Sequence, residues 1–372
     1  MKKKLLYFSH GLSANGIESF LVNVFGKLNL EKYDVTVLIA IDEGVPSLHE
    51  QTVRDLGIKI INAGDMDGIR KKIKYIRNVK RELNKGNYDI VHSNMDLFNG
   101  ITLYCAKKAG VKKRICHAHT TGTQYKSSGF VGIIKSIMQR CYASTMKFLV
   151  RVAATNMLTC SNEAGKYFYG SKDSVVIYNG INLDRFKDET ISSDIMEREL
   201  GLGDNDKRIV SVGRISDVKN PVFAVEIIAE LKKIRSDFRY FWVGTGELEE
   251  TVKEKINELG LQDTVVLTGV RRDVPQILNC CDLFLMTSLF EGLPFSLVEA
   301  QAAGLKCIVS DVVSEAADAG LIEFVSLEKS AAEWAEIISE QLDLPTPDAD
   351  EEKMKKFDIN YTVKQLEEIY DE

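Results

Sequence analysis

Short apolar runs recur along the chain, each followed by a loop and then by apolar residues at helical spacing. Lys4 to Phe8 reads as a buried strand, followed by the loop His10 to Gly16 and a helix from Ile17 to about Leu28. Tyr33 to Ile41, Ile58 to Ile61, Asp89 to Ser93, Lys113 to His117, Met157 to Cys160 and Val175 to Tyr178 continue the strand series. A second series runs through Arg208 to Val212, Phe241 to Val243, Val265 to Val270, Leu283 to Met286, Cys307 to Val309 and Ile322 to Val325. After it come a helix from Ala331 to Leu342, a break at Pro345-Thr346-Pro347, and a terminal helix from Tyr361 to Tyr370. Strands alternating with helices predict α/β architecture with parallel sheets.

Two helical patterns carry unusual outer faces. From Ile69 to Leu83, the residues Ile69, Ile73, Ile76 and Leu83 share one face, while Arg70, Lys71, Lys72, Lys74, Arg77, Lys80 and Arg81 fill the other. Between Thr120 and Asn156, after the loop-like Ser127-Ser128-Gly129, apolar residues from Phe130 to Val152 alternate with Lys135, Arg140, Lys147 and Arg151. Such a segment suits either a peripheral membrane element or a buried interdomain helix.

Charge sharpens the division. The 372 residues are 45% hydrophobic, enough core for two domains, and carry a net charge of −6. That total hides an asymmetry: residues 1–180 hold 27 Lys and Arg against 14 Asp and Glu, whereas 181–372 hold 21 against 40. A basic half favours an anionic membrane surface, and no nucleic-acid-binding motif argues for the alternative. Seven cysteines without a Cys-x-x-Cys pair suit reduced thiols in a cytoplasmic protein. The apolar stretch after Met1 is too short for a signal peptide, and no run reaches the ~20 residues of a membrane span.

The densest chemistry lies from Ser288 to Gly304, which follows the strand Leu283 to Met286. Pro294 can open a helix, Gly304 ends it, and Cys307 to Val309 forms the next strand. This is a βαβ crossover with its loop at the carboxyl end of the sheet, where ligands of open α/β sheets bind. Glu291 and Glu299 stand there, and the amides of Phe295, Ser296 and Leu297 open the helix. Carboxylates suit hydroxyls and helix-start amides suit phosphates, a combination fitted to a sugar nucleotide. Earlier, Gly213-Arg214 and Lys219 flank another helix start after a strand, and two such cations can neutralise a diphosphate without metal.

Glu-x7-Glu within the Glu-Gly-Leu-Pro…Glu-Ala…Gly frame resembles the donor-site signature of retaining GT-B glycosyltransferases of family four. Gly213-Arg214…Lys219, Val243-Gly244-Thr245-Gly246 and the Asn179-Gly180 junction agree with it, firmly over 208–310 and more loosely before 182. The resemblance implies two Rossmann-like domains with parallel sheets facing across a cleft. Residues 1–182 would form the acceptor-side domain, 183–357 the nucleotide-sugar domain, and a C-terminal helix, 358–372, would pack back on the first.

It also implies roles. Arg214, Lys219 and the Phe295, Ser296 and Leu297 amides would hold the diphosphate, and Glu299 the ribose hydroxyls. Glu291, with the backbone of Gly292, Leu293 and Pro294, would hold a sugar hydroxyl. His119, or else His117, would touch the sugar near C6, and Val270 would mark where the base rests. Gly16 would lie near phosphate or acceptor, with Asn15 standing where the family usually has glycine. No carboxylate stands out as a nucleophile or base on the opposite face, so the leaving phosphate would take the acceptor's proton.

The expected function is transfer of a sugar, from a UDP-sugar by expectation, to a lipid-linked saccharide in bacterial surface-polysaccharide synthesis. No metal or other cofactor is expected, because Asp65-Met66-Asp67 and Asp348-Ala349-Asp350 lack the strand context of a metal motif. The expected place is the cytoplasmic face of the membrane. A UDP-sugar epimerase and a non-enzymatic sugar-binding protein are the alternatives. A nicotinamide-dependent oxidoreductase is disfavoured by the absence of Gly-x-Gly-x-x-Gly.

Overall fold

The first strand, Lys3–Ser9 (β1), passes through a loop into Gly16–Lys27 (α1) and returns as Tyr33–Ile39 (β2). Glu50–Asp55 (α2), Lys59–Asn62 (β3), Gly68–Gly86 (α3), Ile90–Asn94 (β4), Asn99–Lys108 (α4) and Lys113–Ala118 (β5) repeat the alternation. Phe130–Ala153 (α5), Asn156–Thr159 (β6), Asn162–Tyr169 (α6) and Val175–Val176 (β7) complete a sheet of order β3-β2-β1-β4-β5-β6-β7, parallel throughout. This computed structural model describes residues 2–13, 16–42, 47–120, 130–170, 174–186, 207–291 and 293–372, with only the backbone of 130–133.

The second sheet is built from Lys207–Val212 (β8), Pro221–Ile234 (α7), Phe238–Val243 (β9), Glu249–Glu258 (α8), Val265–Gly269 (β10) and Val274–Asn279 (α9). Leu283–Met286 (β11), Phe295–Ala302 (α10), Lys306–Ser310 (β12), Ile322–Val325 (β13) and Ala331–Asp343 (α11) follow. Its order, β10-β9-β8-β11-β12-β13, is again all parallel. Glu351–Lys355 (α12) and Ile359–Asp371 (α13) end the chain. The chain divides into two units, Met1–Gly180 with Ile359–Glu372, and Ile181–Asp358. Each is a Rossmann-like α/β unit. The polar stretch 187–206, read from sequence as linker together with Asp184 to Phe186, lies outside the described residues, whereas Leu183–Phe186 is a 3-10 turn.

Central strands are buried on both faces, which is why they read as continuous apolar runs. β4 is the exception in composition: Ile-Val-His-Ser-Asn is buried at every position. Its polar members are hydrogen-bonded, Ser93 to the Thr102 hydroxyl at 2.7 Å and Asn94 to His119 at 2.8 Å. The C-terminal α13 belongs to the first unit. Its Asp371 carboxylate pairs with Lys3 and Lys32 and accepts from the Tyr33 hydroxyl, and Lys113 donates to the Ile369 carbonyl.

Two amphipathic readings change in three dimensions. The buried stripe of α3 is Tyr75, Val79 and Leu83, with Ile76 half-buried, while Ile69 is 79% exposed and Ile73 46%. Tyr75 sits one position off the expected stripe, and the core accepts its ring against Phe98. In α5, Met146, Val150 and Ala153 are buried, whereas Ile134, Ile137, Met138, Tyr142, Phe148 and Val152 are exposed. The buried-helix reading therefore holds only for the last two turns.

In the second unit, loops after β8, β9 and β10 are knitted by backbone hydrogen bonds: Gly213 to Val243, Ile215 to Thr245 and Gly244 to Gly269, at 2.9–3.0 Å. Gly246 runs so close to Ile215 that an added Cβ would stand 2.2 Å from the Ile215 carbonyl oxygen. Gly246→Ala should therefore destabilise this unit by about 1–3 kcal/mol through overpacking against backbone. Both tryptophans, Trp242 and Trp334, lie in this unit, so urea unfolding followed by their fluorescence measures the loss. An unchanged midpoint would contradict the close approach.

Candidate functional site

Parallel strands send every strand-to-helix loop to the same edge, so the candidate residues of each unit gather at the carboxyl end of its sheet. In the second unit Lys219 closes a 3-10 turn, Asp217–Lys219, and Asn220 takes φ +52° before Pro221 opens α7. The turn is tied to the β11–α10 loop by the Leu289 amide on the Val218 carbonyl at 2.8 Å and the Thr287 hydroxyl on the Asn220 carbonyl at 3.1 Å. That tie brings Lys219 and Glu291 into an ion pair, both largely buried, with Ser288 Oγ donating to the same Glu291 oxygen at 3.1 Å. Arg214, 72% exposed, pairs with Glu247 at 2.9 Å. Both clamp cations thus already hold carboxylates. Neither Glu247 nor Ser288 was foreseen as a site residue, because each falls in a turn with no pattern to mark it.

Glu299 behaves differently. It lies half-buried in the second turn of α10, and no hydrogen bond or ion pair holds its carboxylate among the described residues. Burial raises its pKa to about 6, against the pull of the Arg185 charge. Leu293 and Pro294 are buried, and Pro294 is the cap of α10. The Leu297 amide is already spent on the Pro294 carbonyl at 3.2 Å, whereas the first-turn amides of Phe295 and Ser296 have no partner among the described residues. Leu297 itself is a core side chain. Val270 projects from the end of β10, 68% exposed. Gly292 lies outside the described residues, as does Asn15.

In the first unit Gly16 is the first residue of α1, and the preceding loop is pinned by Ser13, whose amide (2.9 Å) and hydroxyl both donate to the Glu18 carboxylate. His119 follows β5, half-buried, its Nε2 2.8 Å from Asn94 Oδ1. Its ring lies tilted by 32° against that of the fully buried His117, the centroids 4.1 Å apart. Burial lowers His119 to about 4, with the Asp96 carboxylate pulling the other way, so the ring is neutral at neutral pH. One carboxylate, Asp96, acts on the His119 ring. It follows β4, takes φ +47°, and lies 3.7 Å from His10. Nothing around it in the sequence marks it, since only the end of β4 brings it beside His119.

Behind the histidines runs a buried polar chain. The Tyr7 and Tyr370 hydroxyls bond to each other, Tyr370 OH lies 2.7 Å from His92 Nδ1, and His92 Nε2 lies 3.2 Å from His117 Nδ1. Burial drives both His92, to about 3, and His117 well below the usual imidazole range, so both are neutral. A neutral imidazole has one N–H, so the chain must run in a single direction. If Tyr7 donates first, each proton finds an acceptor until His117 Nε2–H at the carboxyl end of β5. Run in reverse, the unused proton is the Tyr7 hydroxyl's, held in the core against Phe25. The first direction leaves its spare donor among polar groups and is favoured.

Residues 192–360 match the model described as glycosyl transferases group 1, and residues 14–185 that of glycosyltransferase family 4. The chain is 28% identical over 346 residues to EpsF of Bacillus subtilis, named as a glycosyltransferase, covering 91% of this chain and 87% of that one. It is 28% identical over 310 residues to the UDP-Gal:alpha-D-GlcNAc-diphosphoundecaprenol alpha-1,3-galactosyltransferase of Escherichia coli, covering 80% and 76%. Among solved structures, HepE of Anabaena in complex with UDP-glucose superposes with a TM-score of 0.76 at 17% identity, covering 98% of both chains.

The polar chain predicts a specific cost. Tyr370→Phe strips one hydroxyl from two buried partners, Tyr7 OH and His92 Nδ1, and should lower stability by about 1–3 kcal/mol in urea unfolding followed by circular dichroism. The half-exposed Tyr361 makes no such bond, and Tyr361→Phe should stay within about 0.5 kcal/mol of the parent. Equal midpoints for the two variants would refute the chain.

Proposed function

Because this chain belongs to the glycosyltransferases, its first half to family 4 and its second to group 1, we propose that it moves a sugar from a UDP-linked donor to a lipid-linked saccharide in the synthesis of a bacterial surface polysaccharide. The observation that carries the reading is Glu299: a half-buried carboxylate with no hydrogen bond or ion pair among the described residues, on the helix whose Phe295 and Ser296 amides have no partner among them. Glu299 accepts the ribose hydroxyls, and the Phe295 and Ser296 amides take diphosphate oxygens together with Arg214 and Lys219. Glu291, with the backbone of Gly292, Leu293 and Pro294, takes a sugar hydroxyl. His119 touches the sugar near C6, Gly16 opens α1 toward phosphate or acceptor, and Val270 marks the base.

Ion pairing in the second unit supports an order of events. Phosphate oxygens replace the Glu291 carboxylate on Lys219, and the freed Glu291 then accepts the sugar hydroxyl. One exchange thus completes both contacts. The cations stabilise the negative charge that develops on the leaving diphosphate, with no metal ion needed. In a retaining reaction the leaving phosphate takes the acceptor's proton. The UDP-glucose complex of HepE and the UDP-galactose specificity named for the E. coli relative support a uridine donor, and the diphosphoundecaprenol in that relative's name supports a lipid-linked acceptor.

An acceptor of that kind places the enzyme at a membrane. No helix among the described residues is long and apolar enough to cross one. Instead Ile69 and Ile73 on α3, and Ile134, Ile137, Met138 and Tyr142 on α5, stand exposed among Arg70, Lys72, Lys74, Lys135 and Arg140. From 97 to 162 the chain has no acidic residue at all. Apolar insertion beside basic charge fits peripheral contact with an anionic bilayer.

Two measurements test these readings. Calorimetric titration should show one nucleotide, UDP, binding equally with Mg²⁺ and with EDTA, and Lys219→Ala should weaken it at least tenfold. Affinity should fall as pH drops from 7 to 5, because protonation of Glu299 near 6 removes the acceptor charge, and Glu299→Gln should bind weakly with a flat profile. Binding that demands metal, or is indifferent to both substitutions, defeats the donor assignment. Separately, the protein should sediment with vesicles containing phosphatidylglycerol and not with pure phosphatidylcholine, and Ile137→Glu with Met138→Glu should abolish this. Equal sedimentation of parent and double variant removes the membrane reading.

A further inference from the structure

Three rings stand side by side on neighbouring strands of the first sheet: Tyr7 on β1, His92 on β4 and His117 on β5. Their centroids are 4.8 Å and 5.4 Å apart, and both pairs are stacked. Tyr370 reaches them from α13, its hydroxyl bonded to that of Tyr7 and 2.7 Å from His92 Nδ1. All four side chains are buried, and Tyr7, Tyr370 and His92 have no part in the reaction described above. The other end of this chain is fixed as well. His117 is hydrogen-bonded with the Ile177 backbone, and the Ile177 amide is spent on the Thr159 carbonyl at 2.8 Å. What remains at Ile177 is its carbonyl, which only accepts, so His117 is the donor. Its Nδ1 faces His92 Nε2 at 3.2 Å, which leaves Nε2 to carry the proton. A neutral imidazole has one N–H, so His117 Nδ1 accepts from His92 Nε2, and His92 Nδ1 must accept from Tyr370.

His119 rests on this array. Its ring packs on that of His117, Phe20 of α1 lies 5.5 Å from both rings, and Asn94 and Asn179 bond it. Two of these supports depend on where the His117 proton sits. With that proton on Nδ1, His117 and His92 would meet N–H to N–H unless His92 also changed its tautomer. The Ile177 carbonyl, two residues before Asn179, would at the same time lose its donor. We propose that Tyr370 is a positioning residue of the sugar transfer: its hydroxyl, through His92, keeps the His117 proton on Nε2 and so holds the His119 ring where it meets the sugar. This rests on the transferase reading, with His119 at the sugar, and adds to it a residue from the last helix of the chain. Tyr7 has no such part. Without the Tyr7 hydroxyl, Tyr370 still donates to His92 and both tautomers stay as they are.

Long-range proton–nitrogen NMR spectra of the full chain, isotope-labelled at its five histidines, read the tautomers directly. In the parent, His92 and His117 should each appear as a single neutral Nε2–H form. Tyr370→Phe should leave a mixture of both forms, whereas Tyr7→Phe, which deletes a hydroxyl from the same core, should keep the parent pattern. Calorimetry reads the effect on the sugar, with UDP, UDP-glucose, UDP-galactose, UDP-N-acetylglucosamine and UDP-N-acetylgalactosamine as probes. Tyr370→Phe should weaken the UDP-sugar that the parent binds by about fivefold, the scale of one neutral hydrogen bond, and leave UDP within about twofold. His119→Ala should show the same selective loss, and the double variant should lose no more than His119→Ala alone. Tyr7→Phe should match the parent for both ligands. A His117 proton on Nδ1 in the parent overturns the proposal without recourse to any variant. So does an unchanged UDP-sugar affinity in Tyr370→Phe, an additive double variant, or a Tyr7→Phe that behaves as Tyr370→Phe does, since that is a general loosening of the core. A parent chain that binds UDP but none of the four UDP-sugars overturns the role given to His119 and the proposal with it, while the nucleotide site stands. A parent chain that binds no UDP defeats the donor assignment itself.

Discussion

Parallel pairing is the constraint from which the rest of the molecule follows. Because every strand in both sheets runs the same way, every strand-to-helix loop of a sheet emerges at one edge, and its polar residues must share that edge. Residues as distant in sequence as Lys219 and Glu291, or Asp96 and His119, become neighbours without any dedicated device. The same pairing demands cover on both faces, and in the first unit α13 supplies part of it from the far end of the chain. Its anchoring by Asp371, Tyr370 and the Ile369 carbonyl is bound up with the stability of β1 and β5.

Charge is handled differently in the two units. In the second, Arg214 and Lys219 are each partnered, by Glu247 and Glu291. The first pair is solvent-exposed and screened by water, so it contributes little to stability. The second is largely buried, where an unpartnered ammonium would be costly. Glu299 takes the other course and stays unpaired, with its pKa raised by burial. In the first unit, burial keeps three histidines neutral, so His119 meets a substrate as a hydrogen-bonding group and not as a cation.

The buried chain Tyr7–Tyr370–His92–His117 explains why a central strand tolerates His, Ser and Asn in its core. Each polar atom that faces the core from β4 is bonded, and the cost of burying it is offset there. Of the polar atoms of β4 itself, Asn94 Nδ2 at the strand's end is the one without a partner among the described residues.

Much of this was legible in the sequence. Strand positions, the βαβ unit around Glu291 and Glu299, and the cation pair Arg214 and Lys219 followed from apolar runs, Pro and Gly punctuation and local spacing, because each depends on residues close together in the chain. Other features were not legible, for physical reasons. The core chose Tyr75 over Ile69 and Ile73, since packing depends on what a neighbouring element presents and not on periodicity alone. The Leu297 amide turned inward to Pro294, a matter of one helical turn's geometry. The polar chain joins Tyr7 to Tyr370 across nearly the whole length, and Asp96 meets its neighbours His10, after β1, and His119, after β5, only in the fold. Local pattern alone determined which elements form and where the sugar-nucleotide chemistry lies. Only the tertiary structure decided which polar groups are paired, buried or left open, because those states depend on the low-dielectric surroundings that distant segments create when they pack.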